Sequence, residues 1–225
     1  MKKDMLGEVV RKIVDLPREM LGAICDLAEK LSGEACQVWF AEFKKFLRKE
    51  KCWSEGIINI LLEMINTVTI PARIVNFIAR DKFIVDTSKE ANVKISYLGD
   101  NFTKWFLGED GKIETPIGEQ ELRCARLKKA SVDDLIIAEI GGEAKAETTL
   151  SEMFSQMEKQ RNGEAGVLLN NGYANIFYIR DKNGVLRAVP CGWCGDGWDV
   201  RARSVDDTDG WRAVRQVFFR VPVAA

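Results

Sequence analysis

The spacing of apolar residues changes once along this chain, near residue 67, and that change most constrains the fold. From Asp4 to about Asn66, apolar side chains recur every three or four residues, which is typical of amphipathic helices. Beyond Thr67 the period moves toward two, as in strands with one buried face. The sequence therefore predicts an α+β fold, with a helical layer over residues 1–66 and an α+β domain over residues 67–225.

The first part is predicted to hold four short amphipathic helices, each ended by proline or by a turn residue. They cover approximately residues 4–14, 17–31, 34–49 and 54–65. On the third helix, Phe46 and Leu47 are predicted to face inward and Glu42 outward. Because isolated helices of this length are marginal, we expect the layer to pack against the sheet of the second part.

The second part begins with scattered elements and ends in a run of strands. Strands are predicted at 82–85 and 93–97, the segment 122–127 is compatible with strand or helix, and Thr149 with Glu152 forms a capping-box pattern that opens a helix. Turn signals then separate strands at about 167–170, 173–180, 185–191, 198–204 and 214–221. Sequential hairpins of this kind predict a mainly antiparallel sheet that ends in a C-terminal meander over 166–221.

The strand near residue 200 separates its two faces most cleanly. Alternation assigns Trp198, Val200 and Ala202 to the buried face, with Arg201 and Arg203 outward. The preceding hairpin has two possible registers. A type I′ turn at Asn183-Gly184 would place Arg180 opposite Arg187, whereas a type I turn beginning at Asp181, with Gly184 at a bulge, would separate the two arginines.

Several runs of the second part resemble an uncharacterised family of hypothetical proteins from small-genome uncultured bacteria of the candidate phyla. The runs that carry the resemblance are residues 81–87, 93–99, 142–149 and 172–179, and the resemblance covers roughly residues 67–220. That family has no known activity, so the resemblance implies no function. Cys191 and Cys194 are not part of its pattern.

The chain contains no histidine, which removes imidazole-based catalytic pairs and histidine metal ligands. Cys191 and Cys194 have the spacing of a zinc knuckle or a redox dithiol, but a second cysteine pair is missing and the setting is rich in strands. We regard them as weak metal candidates and predict no catalytic residue and no cofactor. The six cysteines are too few for a disulfide scaffold, which favours a reducing cytoplasm.

The last sixty residues combine arginine with aromatic side chains. They contain seven arginines, one lysine, six aspartates and no glutamate, a local formal charge of +2, together with eight aromatic residues. Arginine, tryptophan and tyrosine are the residue types enriched at binding hot spots. The predicted binding residues are Arg180, Arg187, Arg201, Arg203, Trp193 and Trp211.

We therefore expect a non-enzymatic cytoplasmic module that presents its C-terminal sheet to a protein partner. Two alternatives stay open: an RNA- or DNA-associated protein that uses the same face, and a small thiol-based redox or metal-binding protein. The net formal charge of −1 gives no overall field toward nucleic acid or anionic lipid, and no apolar run approaches the length of a membrane span. The sequence does not specify the oligomeric state.

Overall fold

The computed structural model describes residues 7, 11, 18–33, 36–49 and 61–220. The chain divides into two compact units, Met1–Ile58 and Asn59–Ala225. The first unit contains α1 (Arg18–Ser32) and α2 (Cys36–Leu47), which pack against each other. These two helices confirm the second and third predicted helices, while the first predicted helix lies almost entirely outside the described residues.

The facing of α2 differs from the prediction. Phe46 and Leu47, expected inward, are 57% and 63% exposed, and Glu42, expected outward, is buried. Glu42 accepts a hydrogen bond from Lys45 Nζ at 2.5 Å, which compensates its carboxylate. The spacing of apolar residues predicted the helix correctly, but it did not predict that Glu42 is buried and paired with Lys45.

The second unit holds the remaining helices and every described strand. Its helical segments are α3 (Ala79–Lys82), α4 (Asp100–Phe102), a π-helical turn (Thr103–Leu107), α5 (Asp133–Ile140), α6 (Glu143–Ala146) and α7 (Leu150–Lys159). Its strands are β1 (Leu62–Ile70), β2 (Phe77–Ile78), β3 (Ile95–Leu98), β4 (Ile113–Glu114), β5 (Gln120–Leu127), β6 (Glu147–Thr148), β7 (Asn175–Arg180), β8 (Leu186–Trp193), β9 (Trp198–Val200), β10 (Arg203–Ser204) and β11 (Gln216–Arg220). The combination of helices with a mixed, mostly antiparallel sheet confirms the predicted α+β class.

The boundary between the two parts lies earlier than predicted. The fourth helix was expected to continue to Ile65 and the helical part to residue 66, but β1 begins at Leu62. Antiparallel pairing with β5, from Leu62 opposite Leu127 to Ile70 opposite Gln120, accounts for the strand. A short apolar run does not distinguish a helix from a strand by periodicity alone, and here the long-range partner decides.

Nine of the described strands form one mixed sheet, in the order β1-β5-β11-β7-β8-β9-β3, with β10 beside β8 and β6 beside β7. The antiparallel run β7-β8-β9 confirms the centre of the predicted meander. Its last strand does not continue the meander: β11 crosses back to pair parallel with β7 and antiparallel with β5. Residues 82–85 and 167–170, both described by the structure, do not form the predicted strands. The segment 122–127, which was compatible with strand or helix, lies in strand β5.

The central strands of the sheet are buried on both faces, which explains the nearly continuous apolar sequence of β7. One face packs with α7 and the aromatic side chains of residues 77–106, and its cluster includes Phe177, Trp198 and Phe218. The other face packs with α5, and its cluster includes Tyr178 and Trp211. Helices of this same unit therefore cover the sheet, and packing of residues 1–66 against it stays a prediction.

Two local predictions are settled by hydrogen bonds. Thr149 and Glu152 form the reciprocal capping box that opens α7. In the β7–β8 hairpin, Gly184 N donates to Asp181 O at 3.0 Å and Gly184 has φ +80°. The turn therefore starts at Asp181, and Arg180 lies opposite Leu186 rather than opposite Arg187.

Within the described ranges, no helix combines the length and apolar character that crossing a lipid bilayer requires.

Candidate functional site

A cleft of about 400 Å³ opens on the sheet face opposite Trp198. It lies over β8 and β9 and is closed on one side by the segment 210–215. Its lining is rich in glycine and arginine and comprises Gly172, Ala174, Pro190, Gly192, Cys194, Asp199, Arg201, Arg203, Gly210, Trp211, Arg212 and Arg215. Four arginines and a single carboxylate make this lining strongly positive.

Strand alternation builds the cleft. Cys191 and Trp198 are fully buried in the core, whereas Gly192 and Asp199, paired across β8 and β9, belong to the opposite face and line the cleft. The alternation predicted for residues 198–202 is confirmed, because Trp198, Val200 and Ala202 are all buried. Glycine at position 192 leaves the floor of the cleft free of a side chain.

Arg201 is held at the mouth of the cleft by a carboxylate two residues earlier. Its Nε and Nη2 donate to Asp199 at 2.8 and 2.7 Å, a bidentate pair. These bonds raise the pKa of Arg201. The guanidinium also lies 5.1 Å from the centre of the Tyr97 ring, while 62% of the side chain remains exposed.

Arg203 is attached to a buried carboxylate, Asp133, at the start of α5. Asp133 is fully buried and accepts hydrogen bonds from Arg203 Nη2 at 2.7 Å, Trp211 Nε1 at 2.7 Å and Tyr178 Oη at 2.8 Å. The Arg203 guanidinium stacks 3.6 Å from the centre of the Trp211 ring. Burial and the charge of Asp133 raise the pKa of Tyr178 well above its usual value, so the phenol stays protonated and donates. This network locks Arg203 and Trp211 in the cleft wall.

The segment that carries Arg212 and Arg215 is fixed by backbone hydrogen bonds. Trp211 exchanges two with Ser131, and Val214 N donates to Leu127 O at 2.8 Å. Val214 has φ +75°, which is a strained conformation for a β-branched residue. Strained backbone of this kind concentrates at functional sites.

Arg212 and Arg215 are the two cleft arginines for which no carboxylate partner is found among the described residues. Burial and the nearby charge of Arg212 lower the pKa of Arg215. Arg215 Nη1 and Arg203 Nε are buried and have no hydrogen-bond acceptor within the described ranges. The cleft thus contains more donors and more positive charge than its own side chains satisfy.

Three of the six predicted binding residues, Arg201, Arg203 and Trp211, meet in this cleft. Trp193 lies outside it, edge-on to Trp198, and Gly163 lies so close to its ring that a Cβ there would overlap it. Arg203 was expected to point outward, but only 18% of its side chain is exposed, because it pairs with Asp133.

The other two predicted arginines lie elsewhere and are paired. Arg180 donates to Glu143 and Glu147 at 3.0 and 2.9 Å. Arg187 pairs with the buried Asp181 at 3.0 Å and stacks 3.9 Å from the centre of the Trp105 ring. The register that separates them leaves no like-charge pair on the hairpin.

The predicted cysteine pair is divided between core and surface. Cys191 is fully buried, and burial raises the pKa of its thiol, whereas Cys194 is exposed at the cleft. Across the part of the chain that the structure describes, no three acidic or cysteine side chains gather as a metal site would require. The arrangement does not support a dithiol centre.

Sequence reasoning missed Asp133, Arg212 and Arg215 as members of the site. Arg212 and Arg215 follow the Trp211 candidate by one and four residues, so their charge was visible as part of the arginine-rich C-terminal composition. Asp133 gave no such signal, because it lies 70 residues from Arg203 along the chain and contacts it only through the fold.

Comparison with known proteins yields no match: no family model fits the chain, and no curated protein and no solved structure is significantly similar to it.

Proposed function

We propose that the protein is a binding module of the cytoplasm whose cleft captures an acidic segment of a protein partner. The observation that carries this proposal is the pair Arg212 and Arg215, two cleft guanidiniums without a carboxylate partner among the described residues. Guanidinium groups bind carboxylates with directed, charge-assisted hydrogen bonds. An acidic partner would supply the acceptors and the negative charge that the cleft lacks.

The chemistry of the cleft favours binding over catalysis. Cys194 is the thiol in its lining, and the chain has no histidine that would act as its base, while the other nucleophilic group, Asp199, is engaged by Arg201. Its sequence neighbour Cys191 is buried in the core, where the raised thiol pKa opposes formation of a reactive thiolate.

The aromatic residue of the cleft lining favours a protein partner over nucleic acid. Binding of unpaired bases requires an aromatic ring with a free, accessible face. In the cleft lining this ring would be Trp211, but Arg203 stacks 3.6 Å from its centre and the side chain is only 8% exposed.

The test uses the full chain and a fluorescein-labelled glutamate decapeptide as the acidic probe, with binding followed by fluorescence anisotropy. We expect saturable binding that weakens by about tenfold or more in Arg212→Gln/Arg215→Gln, since each change removes a charge-assisted contact. The matched control is Lys89→Gln/Lys104→Gln, which makes the same change in net charge at two exposed positions outside the cleft lining.

Equal loss in both double variants would show that only overall charge matters and would contradict the proposal. Tighter binding of a labelled thymidine decanucleotide than of the glutamate decapeptide would instead favour the nucleic-acid alternative.

A further inference from the structure

The charges of the cleft can be counted pair by pair. Arg201 is neutralised by Asp199, and Arg203 is neutralised by Asp133. Arg212 and Arg215 remain, each without a carboxylate partner among the described residues, so the cleft carries two uncompensated positive charges.

These two charges act unfavourably on each other. Burial, and after it the charge of Arg212, lowers the pKa of Arg215, and because both guanidiniums stay charged near neutral pH an anion in the cleft would offset this repulsion. A ligand with one negative charge would relieve half of this excess, and a dianion would relieve all of it.

The unused donors of the cleft give a second, independent indication. Arg215 Nη1 and Arg203 Nε are buried N–H groups that lack an acceptor among the described residues. A buried donor without an acceptor is costly, and native structures leave few of them. They lie on two arginines of the cleft lining that come from different segments, and a ligand with several acceptor oxygens would satisfy both once these side chains turn toward it.

We propose that the anionic group bound in this cleft is a phosphate monoester, carried by a phosphorylated side chain of the protein partner. This inference rests on the proposed function and specifies its ligand. A phosphorylated side chain carries about −1.5 to −2 charges near neutral pH and three acceptor oxygens, which matches the excess of two positive charges and the unused donors. A glutamate carries one charge and two oxygens, and each phosphodiester of a nucleic acid also carries one charge.

The test compares two short blocked peptides, acetyl-Ala-phosphoserine-Ala-amide and acetyl-Ala-Glu-Ala-amide. Each is titrated into the full-length, ¹⁵N-labelled protein, and the indole N–H signal of Trp211 reports on the cleft. We expect the phosphopeptide to bind at least about tenfold more tightly than the glutamate peptide. In Arg212→Gln/Arg215→Gln this preference should disappear, and Lys89→Gln/Lys104→Gln should keep it.

A charge-conserving variant separates bidentate recognition from simple attraction. Arg212→Lys/Arg215→Lys keeps both positive charges but loses the planar fork of the guanidinium. We expect it to lose most of the preference for the phosphopeptide, and full retention would show that charge alone, without the guanidinium fork, accounts for the preference.

The remaining outcomes also decide the inference. Equal affinity for the two peptides, or no saturable shift with the phosphopeptide up to about 10 mM, overturns it. The proposed function is judged separately, by the glutamate decapeptide. Inorganic phosphate that binds as tightly as the phosphopeptide would show that a free phosphate is the ligand and would overturn the assignment to a protein partner.

Discussion

Arg203 connects the surface of the cleft to a charge inside the protein. Asp133 is fully buried, and its charge is compensated there by Arg203 together with the Tyr178 and Trp211 donors. Removal of one partner of a buried ion pair leaves an uncompensated charge, which is far more costly than the loss of an exposed pair.

We therefore expect Arg203→Ala to lower the free energy of unfolding by about 3 kcal/mol or more. The neighbouring variant Arg201→Ala should change it by much less, about 0.5 kcal/mol, because Arg201 is 62% exposed and Asp199, at 17%, keeps access to water, unlike the fully buried Asp133. Urea denaturation followed by tryptophan fluorescence measures both values. Similar losses in the two variants would show that Asp133 does not depend on Arg203.

The strained residue Val214 leads to a prediction of increased rather than decreased stability. Valine at φ +75° is unfavourable, whereas asparagine tolerates this region. We expect Val214→Asn to raise the free energy of unfolding by about 1 kcal/mol. The matched control is Val185→Asn at an exposed valine that has no positive φ, where no gain is expected. A loss at position 214 as large as that at 185 would show that the valine backbone is not strained.

Alternation predicted which side chains of β9 are buried but not which arginines lack a carboxylate partner. Trp198 and Val200 follow from the period of two, because burial on a strand is a local property. The state of Arg203 depends on Asp133, which another element supplies, so no local pattern contains it. Arg212 and Arg215 were visible as charges, and only the folded structure shows that they lack partners.

Among the elements, α7 is the one in which local sequence and tertiary contacts agree most closely. Its capping box joins Thr149 and Glu152, and Glu114 from β4 accepts hydrogen bonds from the first two helical N–H groups at 2.8 and 2.9 Å. Glu152 also pairs with Arg220 of β11 at 3.2 Å. The first turn of this helix is thereby tied to two strands.

Glu152 gives a prediction for the pH dependence of stability. Burial raises the pKa of its carboxyl above the unfolded value, although Arg220 and Thr149 oppose the shift. A raised folded-state pKa contributes stability that is present at low pH and is lost as the pH rises through that pKa. Glutamine keeps the capping geometry without ionising. The advantage of the wild type over Glu152→Gln should therefore shrink as the pH rises above about 4.5, the ordinary value of a glutamate carboxyl.

Urea titrations of both proteins at each pH measure this difference, with the exposed position Glu158→Gln as the control for helix charge. A wild-type advantage that grows with pH would mean that Arg220 outweighs the burial of Glu152.

Helices and strands also differ in how well local sequence predicts them. The capping box was predicted correctly, because its two residues lie in one helical turn. Strand β1 was missed at its beginning, because its identity depends on pairing with β5 about 60 residues later. For the same reason the β7–β8 hairpin was predicted with two registers, and the buried Asp181, which accepts from Asn183, Val185 and Arg187, selects one.

The position of β1 determines where the chain can be divided. Leu61 and Leu62 are 5% and 3% exposed within the apolar cluster of the second unit, and their N–H groups donate to Glu139. We expect a fragment of residues 59–225 to unfold cooperatively, since it contains both apolar clusters of this unit. A fragment of residues 67–225 should be less stable than the longer one by at least about 4 kcal/mol, because it lacks two core leucines and half of β1.

Urea denaturation of the two fragments side by side measures this difference. Equal stability would show that the first half of β1 contributes nothing to the sheet and would return the boundary to residue 67.

The central position of β11 has a consequence for the order in which this protein can form. Strands β1 and β5 lie on one side of it and β7, β8 and β9 on the other, and β11 follows all of them along the chain. As the polypeptide leaves the ribosome, these two groups of strands therefore emerge with unpaired edges and have no strand to join them. Such edges can pair wrongly with other chains, and closure over long sequence separations is slow. We therefore expect the β5 edge, and the part of the β7 edge that β6 does not pair, to stay open to mispairing until residues 216–220 have emerged.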